Sequence, residues 1–507
     1  MARRKKNKKF HGAVSSLIIF TFIIAIASLV LSKIGFQAYK TSIENGVLND
    51  SLIVINNIFS IQGLRFIIGN VVTNFKNFEP LVLVIISLIG IGIWEKSGFL
   101  DAIFSKGKNI KFGFVIFLTL LVGIASSIIG QYSYIFLIPF VGAMYKYLGR
   151  SSILGILTVF IGITLGYGTG LMFNYDDYSL GLLTETAAIV DVDKNYSFNL
   201  FSSMYIMVAS TFALAYVAYL AVNYFLVPKF PKKQSIEEEN LIYSKKGLVL
   251  SLLAGAVGIL IIIYMLLDIA LPGAGILLDN SATSYIAKLF SENSPFQEGI
   301  IVIIVLIMMI IGFVYGKISG NIKTSNEYSL GLSKNFENLG YLFVLMFFAS
   351  QMLAILDWTN LGQVITARLI MMISTLQFSG LALIIIFFWI VVLASILIPD
   401  TYTKWELMSS TVVPLFMRSN IAPDFTQFVF RIADSVGKAF SPLFIYFIVM
   451  LAFLEKYRND DKKEISFLSI MRMTLPTIII LGIFWILFIS LWYLIGLPIG
   501  VGTYTTL

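Results

Sequence analysis

Long apolar runs alternate with short polar breaks along nearly the whole chain. Nine of the runs are long enough to cross a bilayer, for which a helix needs about 20 mostly apolar residues. They lie near 13–34, 81–98, 151–183, 203–226, 247–268, 298–316, 335–356, 424–454 and 474–496. Two further apolar stretches, 112–148 and 379–418, are interrupted near their middles, by Ser126-Ser127 to Gly130-Gln131 and by Pro399-Asp400-Thr401-Tyr402-Thr403. Breaks at membrane depth are tolerated only where backbone is covered by protein or lines a water-filled cavity. Both stretches therefore predict re-entrant hairpins, which enter and leave on one side.

Each hairpin is followed by a span that is itself broken, by Gly166-Tyr167-Gly168-Thr169-Gly170 in 151–183 and by Asp434-Ser435-Val436-Gly437-Lys438 in 424–454. The pattern predicts one all-α polytopic membrane domain over 1–507, with nine transmembrane helices plus two re-entrant hairpins in an inverted repeat. The repeated units are 112–183 and 379–454, and the remaining helices form scaffold and dimerisation surface. Discontinuous helices meeting at mid-membrane are the architecture of secondary transporters. Glycines in membrane helices also serve as close contacts between neighbours. Their recurrence after each hairpin favours a site.

Composition places the chain in lipid: 58% of its 507 residues are hydrophobic, 13% are charged and the mean hydropathy is +0.88, against about a quarter charged in soluble proteins. With no cysteine, disulfides, thiolate metal sites and cysteine nucleophiles are excluded, and the single histidine, His11, sits in a basic tail. No Walker motif, GxSxG elbow or paired-carboxylate pattern is present, so the reading is a transporter that is not an enzyme and needs no cofactor. The net charge of +8 does not point to nucleic acid, because the basic residues lie in short loops where they set topology. With both interrupted stretches as hairpins, segments on one side hold 25 Lys and Arg and those on the other hold eight. The basic excess marks the cytoplasmic side of a bacterial inner membrane, with the N-terminus inside on an uncleaved first helix and the C-terminus outside. The first hairpin's mouth then opens inward and the second's outward.

The run Asn70-Val71-Val72-Thr73-Asn74-Phe75 through Pro80, with Glu95-Lys96-Ser97-Gly98, resembles the opening signature of the AbgT family of p-aminobenzoyl-glutamate transporters. The likeness continues through Leu137-Ile138-Pro139, Leu183-Thr184-Glu185-Thr186-Ala187, Lys404-Trp405, Arg431-Ile432-Ala433-Asp434-Ser435, Pro442-Leu443 and Gly496-Leu497-Pro498. It implies nine helices plus two hairpins, a homodimer in membrane lipid, and cation-coupled transport of folate-pathway metabolites or export of sulfonamide-type drugs. Arg431 and Asp434 are retained, and Asp176 falls where the family places an acid. The first tip departs from the pattern, with Gln131 where a carboxylate is usual. Gly168-Thr169-Gly170 replaces Ser-Ala-Asn, and Lys438 replaces an amide.

Charges at mid-bilayer cost ~2.5–3.5 kcal/mol by insertion scales and mark function or partnership. Arg431, Asp434 and Lys438 would share one helix face. Either they form a structural salt-bridged triad, or their local excess of one positive charge receives an anionic, small-molecule substrate. A tethered Lys438 ammonium could stand in for a bound sodium ion, which would leave coupling to protons through Asp176 or Asp177, or absent. Asn174-Tyr175-Asp176-Asp177-Tyr178 reads equally as a solvated turn. At the second tip Asp400, Thr401, Tyr402 and Trp405 offer polar groups and aromatic faces for a ligand, although Tyr and Trp also anchor helices at the interface. With Ser126, Ser127 and Ser435, these are the candidate substrate-binding residues. The alternative is a membrane enzyme or lipid-linked saccharide handler on the same scaffold.

Overall fold

The computed structural model describes the chain except residues 1–11, 45, 105–106, 108–109, 232–240, 337–338, 376–377 and 458–464. The basic N-terminal tail with His11 therefore lies outside the described residues. The protein is a polytopic, mostly helical membrane protein. Among the described residues nine helices are long and apolar enough to cross a membrane. The number matches the expectation, but the membership differs. Phe112–Ile129 and Gly380–Leu397 qualify as single arms of the interrupted stretches, whereas 151–183 is no continuous span.

The core consists of eight helices in two sets of four. The first set is α1 (Phe112–Ala125), α2 (Tyr132–Tyr147), α3 (Ser152–Leu165) and α4 (Tyr175–Asp191). The second is α5 (Gly380–Leu397), α6 (Thr401–Arg418), α7 (Pro423–Phe440) and α8 (Ile445–Lys456). The α1–α2 break contains a short 3₁₀ turn, Ser126–Ile129, and turns at Gly130, whose φ of 54° is a left-handed conformation that glycine adopts without steric cost. The α5–α6 break is three residues ending in Asp400, whose carboxylate caps α6 by accepting from Thr403 N at 2.7 Å.

The two sets exchange their last helices. Helices α3 and α7 pack on their own hairpins and on each other, but α4 packs on α6 of the second hairpin and α8 on α2 of the first. Outside the core, Met204–Phe225 lies on α1 and Phe467–Ile495 on α5, and these two flanking helices also pack together. The reciprocity is what a two-fold relation between the halves produces.

One expectation is corrected here. The second broken helix does not break at Asp434–Lys438: α7 runs regularly to Phe440, and the interruption is Ser441–Phe444, with a 41° bend to α8. Pro442, which has no N–H and restricts the residue before it, dictates that position. Beside the helices lies a short β-hairpin. Gln37–Glu44 and Val47–Val54 form an antiparallel hairpin, Gln37 opposite Val54 through Glu44 opposite Val47. It rests on α6, where Ser410 Oγ donates to Thr41 O at 2.7 Å.

Candidate substrate site

Helix breaks free backbone carbonyls, and in a buried core each needs a donor. Here two of the donors come from the opposite half and the others from the same half. After α3, Leu165 O accepts from Trp485 Nε1 at 3.2 Å and Tyr167 O from Arg431 Nη2 at 3.0 Å. After α5, Ile398 O accepts from Lys404 Nζ at 2.8 Å, and Ile396 O from Ser441 Oγ at 2.8 Å. Asn174 Nδ2 ties Ser127 O of the first tip to the start of α4 at 2.5 Å. Trp485 and Arg431 thus join the second half to the break after α3, whereas the carbonyls of the two tips are held from within their own halves.

These segments surround a cavity of about 700 Å³. Both tips reach it, through Ile128 to Gln131 and through Ile398 to Thr403, as do Tyr167, Asp176, Lys438 and Tyr446. Four core helices begin at its wall, since Tyr132, Tyr175, Thr401 and Ile445, the first residues of α2, α4, α6 and α8, all line it. Helix N-termini present unpaired N–H groups and positive potential. At α4 and α6 these are answered by Asp176 and Asp177 in the first turn and by the Asp400 cap. Helices α2 and α8 have neither a side-chain cap nor an acid in the first turn. One N-terminus from each half is therefore left to whatever occupies the cavity. The remaining lining acids include Glu79 and Glu298, in the first turns of Glu79–Ser97 and Pro295–Ser319, where they offset the dipoles of those helices.

The walls are aromatic. Tyr134 and Tyr446 stack at 4.6 Å with an interplanar angle of 7°, and Phe444 packs edge-on against both. Tyr446 Oη donates to Gln131 Oε1 at 2.9 Å, bridging the first tip to α8. Tyr167 Oη donates to Asp176 Oδ2 at 2.5 Å, and the Lys438 ammonium lies 4.3 Å from the Tyr167 ring centroid.

The expected triad is not present. Asp434 is paired with Lys438 and with Lys404, whereas Arg431 pairs with Asp177 and is 3% exposed, off the cavity wall. Asp176 and Asp177 belong to the first turn of α4, where Asn174 and Asp177 form a capping box. They are not a solvated turn. Lys404, counted with the external segments in the sequence, is fully buried, and with the half-buried Asp176 on the cavity wall the cations Arg431, Lys404 and Lys438 here face the carboxylates Asp176, Asp177 and Asp434.

Of the expected binding residues, the cavity receives Gln131, Asp176, Asp400, Thr401, Tyr402 and Lys438. The others lie behind it. Trp405 is buried on α6, with Nε1 donating to Thr184 Oγ1 at 3.0 Å and its ring 4.4 Å from that of Phe430. Ser126 and Ser435 return hydrogen bonds to Gly123 O and Ile432 O, both at 2.6 Å. Thr169 is fully buried with its hydroxyl 2.7 Å from Met207 O. Gly168 abuts the Arg431 backbone and Gly170 the Ser127 side chain. Sequence reasoning missed Lys404, Tyr134 and Tyr446. Pro442, directly after the α7 C-cap Ser441, was the signal that would have brought Phe444 and Tyr446 to the site.

A model of the AbgT transporter family matches residues 9–507. The chain is 27% identical over 492 residues to an Escherichia coli K12 protein named p-aminobenzoyl-glutamate transport protein, covering 96% of this chain and 94% of the relative. Similar solved structures include the Alcanivorax borkumensis YdaH transporter, at 24% identity and TM-score 0.48 over 96% of this chain and 99% of that one. Neisseria gonorrhoeae MtrF, described with a class of antimetabolite efflux pumps, matches at 26% identity and TM-score 0.48 over 98% of each chain.

Proposed function

Because the chain belongs to the AbgT transporter family, we propose that it is a secondary transporter of a small, anionic, aromatic solute, held in the cavity between the two tips. The observation that carries this reading is the pair of uncapped N-termini, α2 and α8, at one cavity with Lys438. Two helix N-termini without a side-chain cap or a first-turn acid, and an ammonium, suit a carboxylate. The Tyr134, Tyr446 and Phe444 rings suit an aromatic body, and the lining acids accept hydrogen bonds from an aryl amine. A p-aminobenzoyl-glutamate-like molecule or a sulfonamide combines these features. Asp176, the acid of the first broken helix that reaches the cavity, is the group through which a proton would be coupled.

A solute site between two tips, each belonging to one half, favours alternating access over a groove for lipid-linked substrates. Purified protein in liposomes loaded with unlabelled p-aminobenzoyl-glutamate should take up the labelled compound by counterflow. Benzoyl-glutamate, lacking the amine, should compete more weakly, and alkyl dicarboxylates weaker still. Counterflow with none of the anionic aromatics, sulfonamides included, would refute the reading.

A further inference from the structure

Asp434 is fully buried with a cation on each oxygen. The Lys404 ammonium contacts Oδ1, and Lys438 Nζ lies 3.1 Å from Oδ2. Thr401 Oγ1 donates to Oδ2 at 2.8 Å and meets the Lys438 ammonium as well. Lys404 Nζ also donates to Ile398 O at 2.8 Å, the carbonyl exposed where α5 ends. Two carboxylate oxygens, a hydroxyl and a helix-end carbonyl thus surround two ammonium groups at the junction of the second tip with α7.

Carboxylate, hydroxyl and carbonyl oxygens are the donors that hard cations require, and helix-end carbonyls at a membrane break are a usual place for them. An ammonium and an alkali ion carry the same charge and compete for the same oxygens. Two positive charges within a few ångströms of one another in a buried site repel strongly. The cage therefore has no place for a metal ion while both lysines are present.

We propose that Lys404 and Lys438 are tethered cations filling an alkali-cation site between the second tip and α7, so that the protein works without bound sodium. Removing the Lys438 charge opens a sodium site. Lys438→Gln leaves Asp434, Thr401 and a new amide oxygen around the vacated position, and a bound sodium ion there restores the native total charge. The inference does not rest on the identity of the transported solute, because ion binding is measured on the protein alone.

The test is the thermal melting of purified full-length protein in sodium chloride against choline chloride at constant ionic strength, with direct binding of radioactive sodium. The native protein should melt identically in the two salts and bind no sodium. Lys438→Gln should melt lower in choline and rise saturably with sodium, following mass action, and should bind labelled sodium. Should Lys438→Gln fail to fold in choline, its recovery in sodium would support the cage, and failure in both salts would count against it. Lys404→Gln, which leaves Ile398 O and Oδ1 free, should show the same gain. A saturable sodium response in the native protein, or none in either variant, would overturn the proposal. If counterflow fails while sodium binding behaves as stated, the solute assignment is at fault and the cage stands.

Discussion

Arg431 illustrates how a buried charge chooses its partner by geometry and not by sequence spacing. Asp434 lies one helical turn away, yet the guanidinium reaches Asp177 at the start of α4 and the freed Tyr167 O at 3.0 Å. It acts as a clamp between the halves. Removing one member of a buried pair strands the other at ~3–5 kcal/mol. Arg431→Ala and Asp177→Asn should each lower the melting temperature sharply in detergent, and the double variant Arg431→Met, Asp177→Leu should recover most of the loss. An Arg431→Ala protein that melts like the native one but no longer transports would show that the guanidinium serves the solute directly. The two aromatics of the second tip should separate in the same way. Tyr402→Ala removes a ring from the cavity wall, worth about 0.5–1.5 kcal/mol or roughly two- to tenfold in KM. Trp405→Phe breaks the Thr184 bond, costing ~1 kcal/mol of stability with KM unchanged. The reverse pattern in a transport assay would place Trp405 at the solute. Arg431, Asp434 and Lys438 were legible in the sequence as charges at membrane depth, but Lys404, counted with an external segment, was not. Nor was their pairing, because Lys404 meets Asp434 across 30 positions and Arg431 meets Asp177 across more than 250.

At the level of elements, the polar run Asp434–Lys438 mimicked a helix break because its polar groups were counted without regard to face. In α7, Asp434 and Lys438 are one turn apart and point together toward Thr401, while Ser435 returns its bond to Ile432 O, so the helix continues. The true signal, Pro442, stood four residues beyond. Gly437 then has a different purpose. A Cβ there would lie 2.5 Å from Val392 O and from the Ser395 side chain, so the missing side chain sets how closely α7 lies on α5. Gly437→Ala should cost about 1–3 kcal/mol by overpacking, visible as a lower melting temperature, and should disturb the Lys438–Asp434 pair that α7 carries. Unchanged stability would mean the two helices separate without penalty. The interrupted hairpins and the Gly166–Gly170 break were readable because Gly, Pro and paired hydroxyls have no other use within apolar runs. The exchange of α4 and α8 between halves was not, since packing partners leave no periodicity in a single sequence.

For the whole molecule, the positions around the cavity agree with the charge pattern of the loops. Phe78, Glu79, Asp176, Glu298, Asp357 and Asp400 line it, and each belongs to, or directly adjoins, a segment on the side poor in Lys and Arg. The basic excess resides in the other group of loop segments of the sequence, of which 232–240 and 458–464 lie outside the described residues. Moving Lys404 into the core widens the imbalance to 25 against seven. We propose from this topology that the cavity opens outward, with the stacked Tyr134 and Tyr446, and Phe160 and Phe444 around Tyr134, as its inner floor. The chain contains no cysteine, so single cysteines can be introduced without background. Cysteines placed at Glu298, Asp400 and Tyr402 should react with a membrane-impermeant maleimide added to intact cells, and excess solute should slow the reaction at Tyr402. Cysteines at residues 240 and 460 should react only after the cells are opened, whereas one at the C-terminus should react from outside. Labelling of 240 and the C-terminus from the same side would break the nine-crossing topology and the opposed orientation of the two halves. Labelling at Tyr402 only in opened cells, with the other positions as stated, would keep the topology and show a cavity that faces the cytoplasm.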